Sequence, residues 1–148
     1  MLTFKKIKPK EKTELKKLED KLWQVFSLFI RLRDSDKDGI CKCFTCNHRA
    51  HFTKMDCGHG IPRQHKATKF SEMNNHAQCK KCNGFEGGKR EIYKERMNKV
   101  YGQQTWEKME VASRQTFSFS VPLLKNNIEY YTQKVAELKE AKGMIHKI

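Results

Sequence analysis

Between Glu11 and Arg33 the apolar residues Leu15, Leu18, Leu22, Val25, Phe26, Phe29 and Ile30 recur every three or four positions, which predicts one long amphipathic helix packed on the core. Residues 40–62 carry no such period. With Gly58, Gly60 and Pro62 near their end they read as a two-stranded ribbon running from Cys43 through Phe52 to His59. Residues 63–75 read as a polar connection containing Lys66, Lys69 and Phe70. A short helix is expected around Cys79–Cys82, reaching Phe85 before Gly87-Gly88 breaks it. Lys89–Tyr101 returns to helical spacing, with Ile92, Tyr93, Met97 and Val100 on one face and Gly102 as the stop. Thr105–Ser113 is a further short helix, and Val121–Lys142 is the last, entered through Pro122 and ended by Gly143. The pattern implies an α+β fold, mostly α. Its segments are a basic arm at 1–10, a helix and acidic turn at 11–40, a cysteine-bearing core at 41–88 and C-terminal helices at 89–148.

The acidic turn Asp34-Ser35-Asp36-Lys37-Asp38-Gly39 imitates the start of an EF-hand loop. The twelfth position, where a bidentate glutamate is needed, falls on Thr45, so calcium binding is rejected. The cysteines change the picture more. Cys43-x2-Cys46, then 32 residues, then Cys79-x2-Cys82 supplies four soft ligands in two knuckle turns, suited to one tetrahedral Zn²⁺. Cys41 and Cys57 are left as spare thiols. A chain of 148 residues with 37% hydrophobic content has a modest core, for which a structural metal is physically useful. No stretch approaches a membrane span, so a cytoplasmic location is expected, where cysteines serve as ligands and thiols rather than disulfides.

The formal charge is +14. Residues 1–33 hold ten Lys and Arg against four acids, residues 61–100 ten against four, and residues 34–60 balance. Two basic segments around a neutral metal-binding unit are the footprint of a polyanion binder, with Arg63, Lys66, Lys69, Lys80, Lys81, Lys89 and Arg90 as DNA-contacting candidates.

Between and just after the cysteines lie His59, the pair Asn74-Asn75, and Asn83 directly after Cys82. This is the layout of an HNH (His-Me finger, ββα-metal) nuclease: a zinc-stapled unit in which a histidine at a hairpin end takes a proton from water beside one hard cation. His59 is the base, since an ordinary imidazole titrates near neutrality. Asn83, with Mg²⁺ or Mn²⁺ as the cation, would be a ligand through its amide oxygen. Asn74 or Asn75 would tie down the hairpin loop and hold His59, and we assign Asn74 to the site. Arg63, four residues past His59, would clamp a phosphate. The other histidines are His48, His51, His65, His76 and, in the tail, His146.

The runs Cys43-Phe44-Thr45-Cys46, Asp56-Cys57-Gly58-His59 and Lys69-Phe70 through Asn74-Asn75-His76-Ala77-Gln78-Cys79-Lys80-Lys81-Cys82-Asn83 resemble the lambdoid-phage NinG (Rap) recombination proteins over roughly residues 20–140. The resemblance implies a structure-selective endonuclease acting on branched recombination intermediates such as Holliday junctions and D-loops, in the company of phage recombination proteins. The Cys-Asn step is also similar to that of phage endonuclease VII. In proteins like that one an aspartate directly precedes the catalytic histidine and ligates the metal, whereas here that position is Gly58. Asp56, three residues before His59, would then supply the missing carboxylate. Two further readings are a zinc-stapled DNA-binding module without catalysis and an HNH homing or restriction enzyme. A homodimer through the terminal helices would furnish the two active sites that symmetric cutting of a four-way junction needs.

Overall fold

The computed structural model describes residues 13–144; the basic arm expected at 1–10 and His146 lie outside the described residues. The fold is α+β and mostly helical. Helix α1 spans Glu14–Arg33, capped by the Thr13 hydroxyl, which accepts from the Lys16 N–H at 3.2 Å. Its apolar stripe is buried as the spacing requires: Leu22, Phe26 and Ile30 are completely enclosed and Phe29 nearly so, while Leu15, at the open end, stays exposed.

The partner of that stripe is the last helix, α5 (Val121–Ala141), which is capped by Ser120, has Pro122 in its first turn, and contributes Leu124, Tyr131 and Val135. Phe26 meets the Tyr131 ring edge-on at 4.9 Å and Phe29 meets it at 5.0 Å. Buried side chains of this size stabilise by roughly 1.5–3 kcal/mol each, so this helix pair anchors the fold. The same core continues into the cysteine-bearing centre through Cys41, Cys43, Phe52, Met55, Ala77, Cys79 and Cys82. Helices α3 (Arg90–Tyr101) and α4 (Thr105–Ser113) close a smaller core of Tyr93, Met97, Trp106 and Met109 over Ile61.

The centre differs from the ribbon read in the sequence. There are two separate antiparallel pairs: β1 (Ile40–Lys42) with β2 (Arg49–His51), and β3 (Asp56–His59) with β4 (Asn75–Gln78). A 3₁₀ turn at Phe52–Lys54 ends the first pair by turning Phe52 into the core. The strand bearing His59 therefore pairs forward in the chain. The expected polar connection holds a one-turn helix, α2 (Lys66–Lys69), and a 3₁₀ turn at Glu72–Asn74. Strand β4 hides from a hydrophobicity reading because Asn75, His76 and Gln78 are polar. All are buried and hydrogen-bonded, which is how a polar strand enters a core. The expected helix at the second knuckle is a five-residue π turn, Lys81–Phe85.

Arg33 and Asp34 fasten the end of α1 to this centre. The Arg33 guanidinium donates to the Glu72 and Asn75 carbonyls at 2.8 and 2.7 Å, and Asp34 accepts from the Ala77 N–H at 2.8 Å. No helix among the described residues is long and apolar enough to cross a membrane.

Replacement of Phe26 by Ala should remove about 3–5 kcal/mol of unfolding free energy, read from urea denaturation. Leu15→Ala, at a position with no close-packed surroundings, should cost less than about 0.5 kcal/mol in the same measurement.

Candidate metal centre and adjoining cleft

The two knuckles converge. Donor sulfurs of Cys43, Cys46, Cys79 and Cys82 all lie within 4.8 Å of one another, and Cys46 Sγ is 3.7 Å from Cys79 Sγ. Four sulfurs at about 2.3 Å around a tetrahedral cation would be spaced about 3.8 Å apart, so the cluster fits a metal such as zinc. Burial of Cys43 opposes ionisation. The Cys79 N–H and the Thr45 hydroxyl and N–H nevertheless bring its thiol down to about 7, whereas burial pushes Cys82 up to about 12. The Thr45 hydroxyl accepts from the Gln78 amide at 2.9 Å and so has its proton free for Cys43 Sγ, 3.6 Å away. This orients the sulfur from behind. Of the spare cysteines, burial pushes Cys41 up to about 11 and raises Cys57 further, leaving both as neutral packing thiols.

His59 ends β3 between two closed-in glycines. A Cβ at Gly60 would come within 2.9 Å of the Tyr93 ring; one at Gly58 would come within 1.8 Å of Gln78 Oε1. Gln78, opposite Asp56 in the register, lies across Gly58 and is held by its bonds to Thr45 and the Gly88 carbonyl. No aspartate fits at position 58 while Gln78 is there.

The His59 ring is partly buried and stacks on Trp23 of α1 at 4.9 Å. Its Nε2 lies 3.1 Å from the Lys69 carbonyl. Since a carbonyl only accepts, the proton is on Nε2 and Nδ1 is the basic nitrogen. Burial pushes this imidazole down to about 4, against the Lys69 bond, with the Arg63 and Lys69 charges adding to the depression. Asn75 Nδ2 also donates to the Lys69 carbonyl, at 3.1 Å, so it fixes the same oxygen that orients His59. Completely buried Asn74 spans the loop: its Oδ1 accepts from the Ile61 N–H at 2.7 Å and its Nδ2 donates to the Ile61 and Thr68 carbonyls. His76, the alternative base, is locked between the Tyr93 and Tyr101 hydroxyls and stacked on Phe44, and burial takes it down to about 4 as well.

Asp56, at the start of β3, and Asn83, in the π turn, come together across 27 positions of sequence, Asn83 Nδ2 lying 3.1 Å from Asp56 Oδ2. They share a cleft of about 400 Å³ whose walls also include Trp23, Arg31, Arg63 and Lys80. His59 does not itself line this cleft; the Trp23 ring on which it stacks does. Lys80 Nζ holds the other Asp56 oxygen at 2.8 Å. Exposed Arg63 also lines an adjoining groove of about 360 Å³ with Lys66 and Lys69. Lys69 is buried there in an ion pair with Glu19 at 2.7 Å, which leaves it a fastening between α1 and the loop. Lys81 and Lys89 both face Glu86, and Arg90 is exposed at the start of α3. The sequence reading missed Trp23 and Arg31, which lie on a helix with no motif of its own.

Residues 3–141 match the family described as bacteriophage lambda NinG protein. The chain belongs to the NinG family. No curated protein and no solved structure matches it. The NinG match runs through both knuckles and the His59 hairpin, so the cysteine cluster and the Asp56–Asn83 cleft are both within it.

Metal analysis of the chain should find one zinc per chain. Cys43→Ser should abolish the zinc and unfold the centre, whereas Cys41→Ser should keep it. Gly58→Ala should cost about 2 kcal/mol or more, because a displaced Gln78 leaves buried partners unsatisfied. Adding Gln78→Ala should recover part of that loss, and additive effects in the double-mutant cycle would refute the obstruction.

Proposed function

We propose that this chain is a metal-dependent, structure-selective DNA endonuclease with a zinc-stapled HNH-type ββα-metal core, acting on branched recombination intermediates such as Holliday junctions and D-loops. The observation that carries the reading is the meeting of Asp56 and Asn83 in one cleft beside Arg63, with His59 three residues along the same strand. A carboxylate and an amide offer hard oxygen donors suited to Mg²⁺ or Mn²⁺, chemically distinct from the four sulfurs that suit structural zinc. Two protein ligands are the usual number for a cation that completes its shell with water and phosphate oxygens. When bound, that cation supplies charge neutralisation at the scissile phosphate and at the departing 3′ oxygen.

The chain's own residues do the rest. His59 Nδ1 takes the proton of the attacking water as the new O–P bond forms opposite the P–O3′ bond that breaks, leaving a 5′-phosphate and a 3′ oxygen that takes a proton from solvent water to become the 3′-hydroxyl. The Lys69 carbonyl keeps Nδ1 the basic nitrogen, and Trp23 fixes the plane of the ring. Asn74 and Asn75 are positioning residues that hold the loop and the Lys69 carbonyl. Arg63 binds a non-bridging phosphate oxygen, and Lys66, Lys80, Lys81, Lys89 and Arg90 contact the flanking backbone. Cutting both strands of a four-way junction needs two copies. Since α1 and α5 bury one face of each against the other within one chain, a homodimer through the terminal helices would use their outer faces, where Leu123 and Tyr130 of α5 are exposed. The Lys80–Asp56 ion pair favours a second reading, a zinc-stapled DNA-binding module without catalysis, in which Asp56 merely anchors a lysine.

The test is incubation with labelled four-way, Y-shaped and linear duplex DNA, with and without Mg²⁺ or Mn²⁺. His59→Ala should lower cleavage about 10²–10⁴-fold while zinc content and junction binding persist. Because burial holds His59 near 4, below its ordinary value, the base stays deprotonated as the pH falls, so cleavage should be flat from pH 8 to 5.5 and drop only below about 5. A wild-type chain that cuts no branched DNA with either cation establishes the module instead.

A further inference from the structure

The fold leaves one large side chain almost wholly in water. Phe85 is 92% exposed, the most of any large apolar residue among the described residues, and it belongs to no ring pair there. It sits at the end of the π turn, two positions past Asn83. The tip stands clear of the rest of the molecule: a Cβ added at Gly84, Gly87 or Gly88 would meet nothing within 4 Å. The turn itself is firmly rooted. The Glu86 N–H bonds the Lys81 carbonyl at 3.0 Å, the Gly88 N–H bonds the Cys82 carbonyl at 2.8 Å, and left-handed Gly87, Gly88 and Lys89 reverse the chain into α3.

Its surroundings choose the occupant. Lys80 pairs with Asp56, and Lys81 and Lys89 share Glu86, so with exposed Arg90 four cations stand against two acids and the turn keeps a net positive field that draws an anion. Along the chain Phe85 is flanked by Gly84, Glu86, Gly87 and Gly88, which add no apolar side chain to its ring. An isolated flat ring among cations suits a nucleobase, whose face it can cover while the cations meet phosphate. Intact duplex DNA keeps its base faces stacked, whereas a branch point exposes them.

We propose that Phe85 is a stacking wedge that covers an unstacked base at a DNA branch point and so supplies this chain's selectivity for branched over linear DNA. The proposal rests on the nucleic-acid part of the function above and not on cleavage. It is tested on the full chain, without added Mg²⁺ or Mn²⁺ so that nothing is cut, by fluorescence anisotropy on a labelled four-way junction and on linear duplex of the same sequence. Phe85→Ala should weaken junction binding on the order of ten- to a hundred-fold, leave duplex binding within two-fold and leave zinc content unchanged. Phe85→Trp should restore the junction preference and Phe85→Leu should not. Equal losses on junction and duplex, no loss on either, recovery by Leu as full as by Trp, or a wild type that binds both DNAs alike would each overturn the wedge. Cleavage in a parallel assay separates the two ideas. A Phe85-dependent junction preference without cutting sinks the nuclease and keeps the wedge; cutting with no Phe85-dependent preference does the reverse.

Discussion

Everything in the centre depends on the four cysteine sulfurs sharing one small volume. Their closeness ties the turn after β1 to the turn after β4, segments 33 positions apart at Cys46 and Cys79. With both knuckles fixed, Asn83 has no freedom to leave the start of β3, and Gln78 is drawn across Gly58 to reach Thr45 behind Cys43. A sulfur cluster that could hold a metal such as zinc and a cleft lined by Asp56 and Asn83 are thus built from neighbouring positions of one chain. The chemistry of their atoms keeps them apart, sulfur on one side and oxygen on the other.

The helices were legible because their apolar residues repeat at the pitch of the element: Leu22, Phe26 and Ile30 fall on the buried face of α1, and α4 begins and ends where its sequence says. The cysteine pairs were legible because ligand spacing is local. Strand pairing was not. Asn75-His76-Ala77-Gln78 looks like a surface segment, and only partners supplied by distant backbone and by Tyr93 and Tyr101 make its burial tolerable. The expectation placed on Asp56 came from noting what position 58 lacks. The reason for the lack, a buried glutamine occupying that space, is a three-dimensional fact. Trp23 was invisible for a different reason, since an aromatic on an amphipathic helix reads as core until its neighbour is seen to be His59.

Charge divides in a similar way. Sequence ranks all lysines of a basic segment alike, yet Lys69 is buried against Glu19 while Arg63 stands exposed between two grooves. Burial lowers the basicity of His59 and His76 equally, and what distinguishes them is the bonding of the second ring nitrogen. Both nitrogens of His76 are engaged by tyrosine hydroxyls, whereas His59 has only Nε2 engaged, on a carbonyl, among the described residues.

The Arg33–Asp34 fastening has a bearing on how such a unit could be moved between proteins. The knuckles and the hairpin look like a portable cassette, contiguous in sequence and stapled by its own ligands. Yet one flank of the cleft, the ring that steadies His59, and the guanidinium that secures the Glu72 and Asn75 carbonyls all belong to a helix outside it. A graft of residues 41–88 alone would carry the ligands and lose the wall. Any host must bring an aromatic and an arginine at the same places, so the segment that looks modular in one dimension is inherited together with α1.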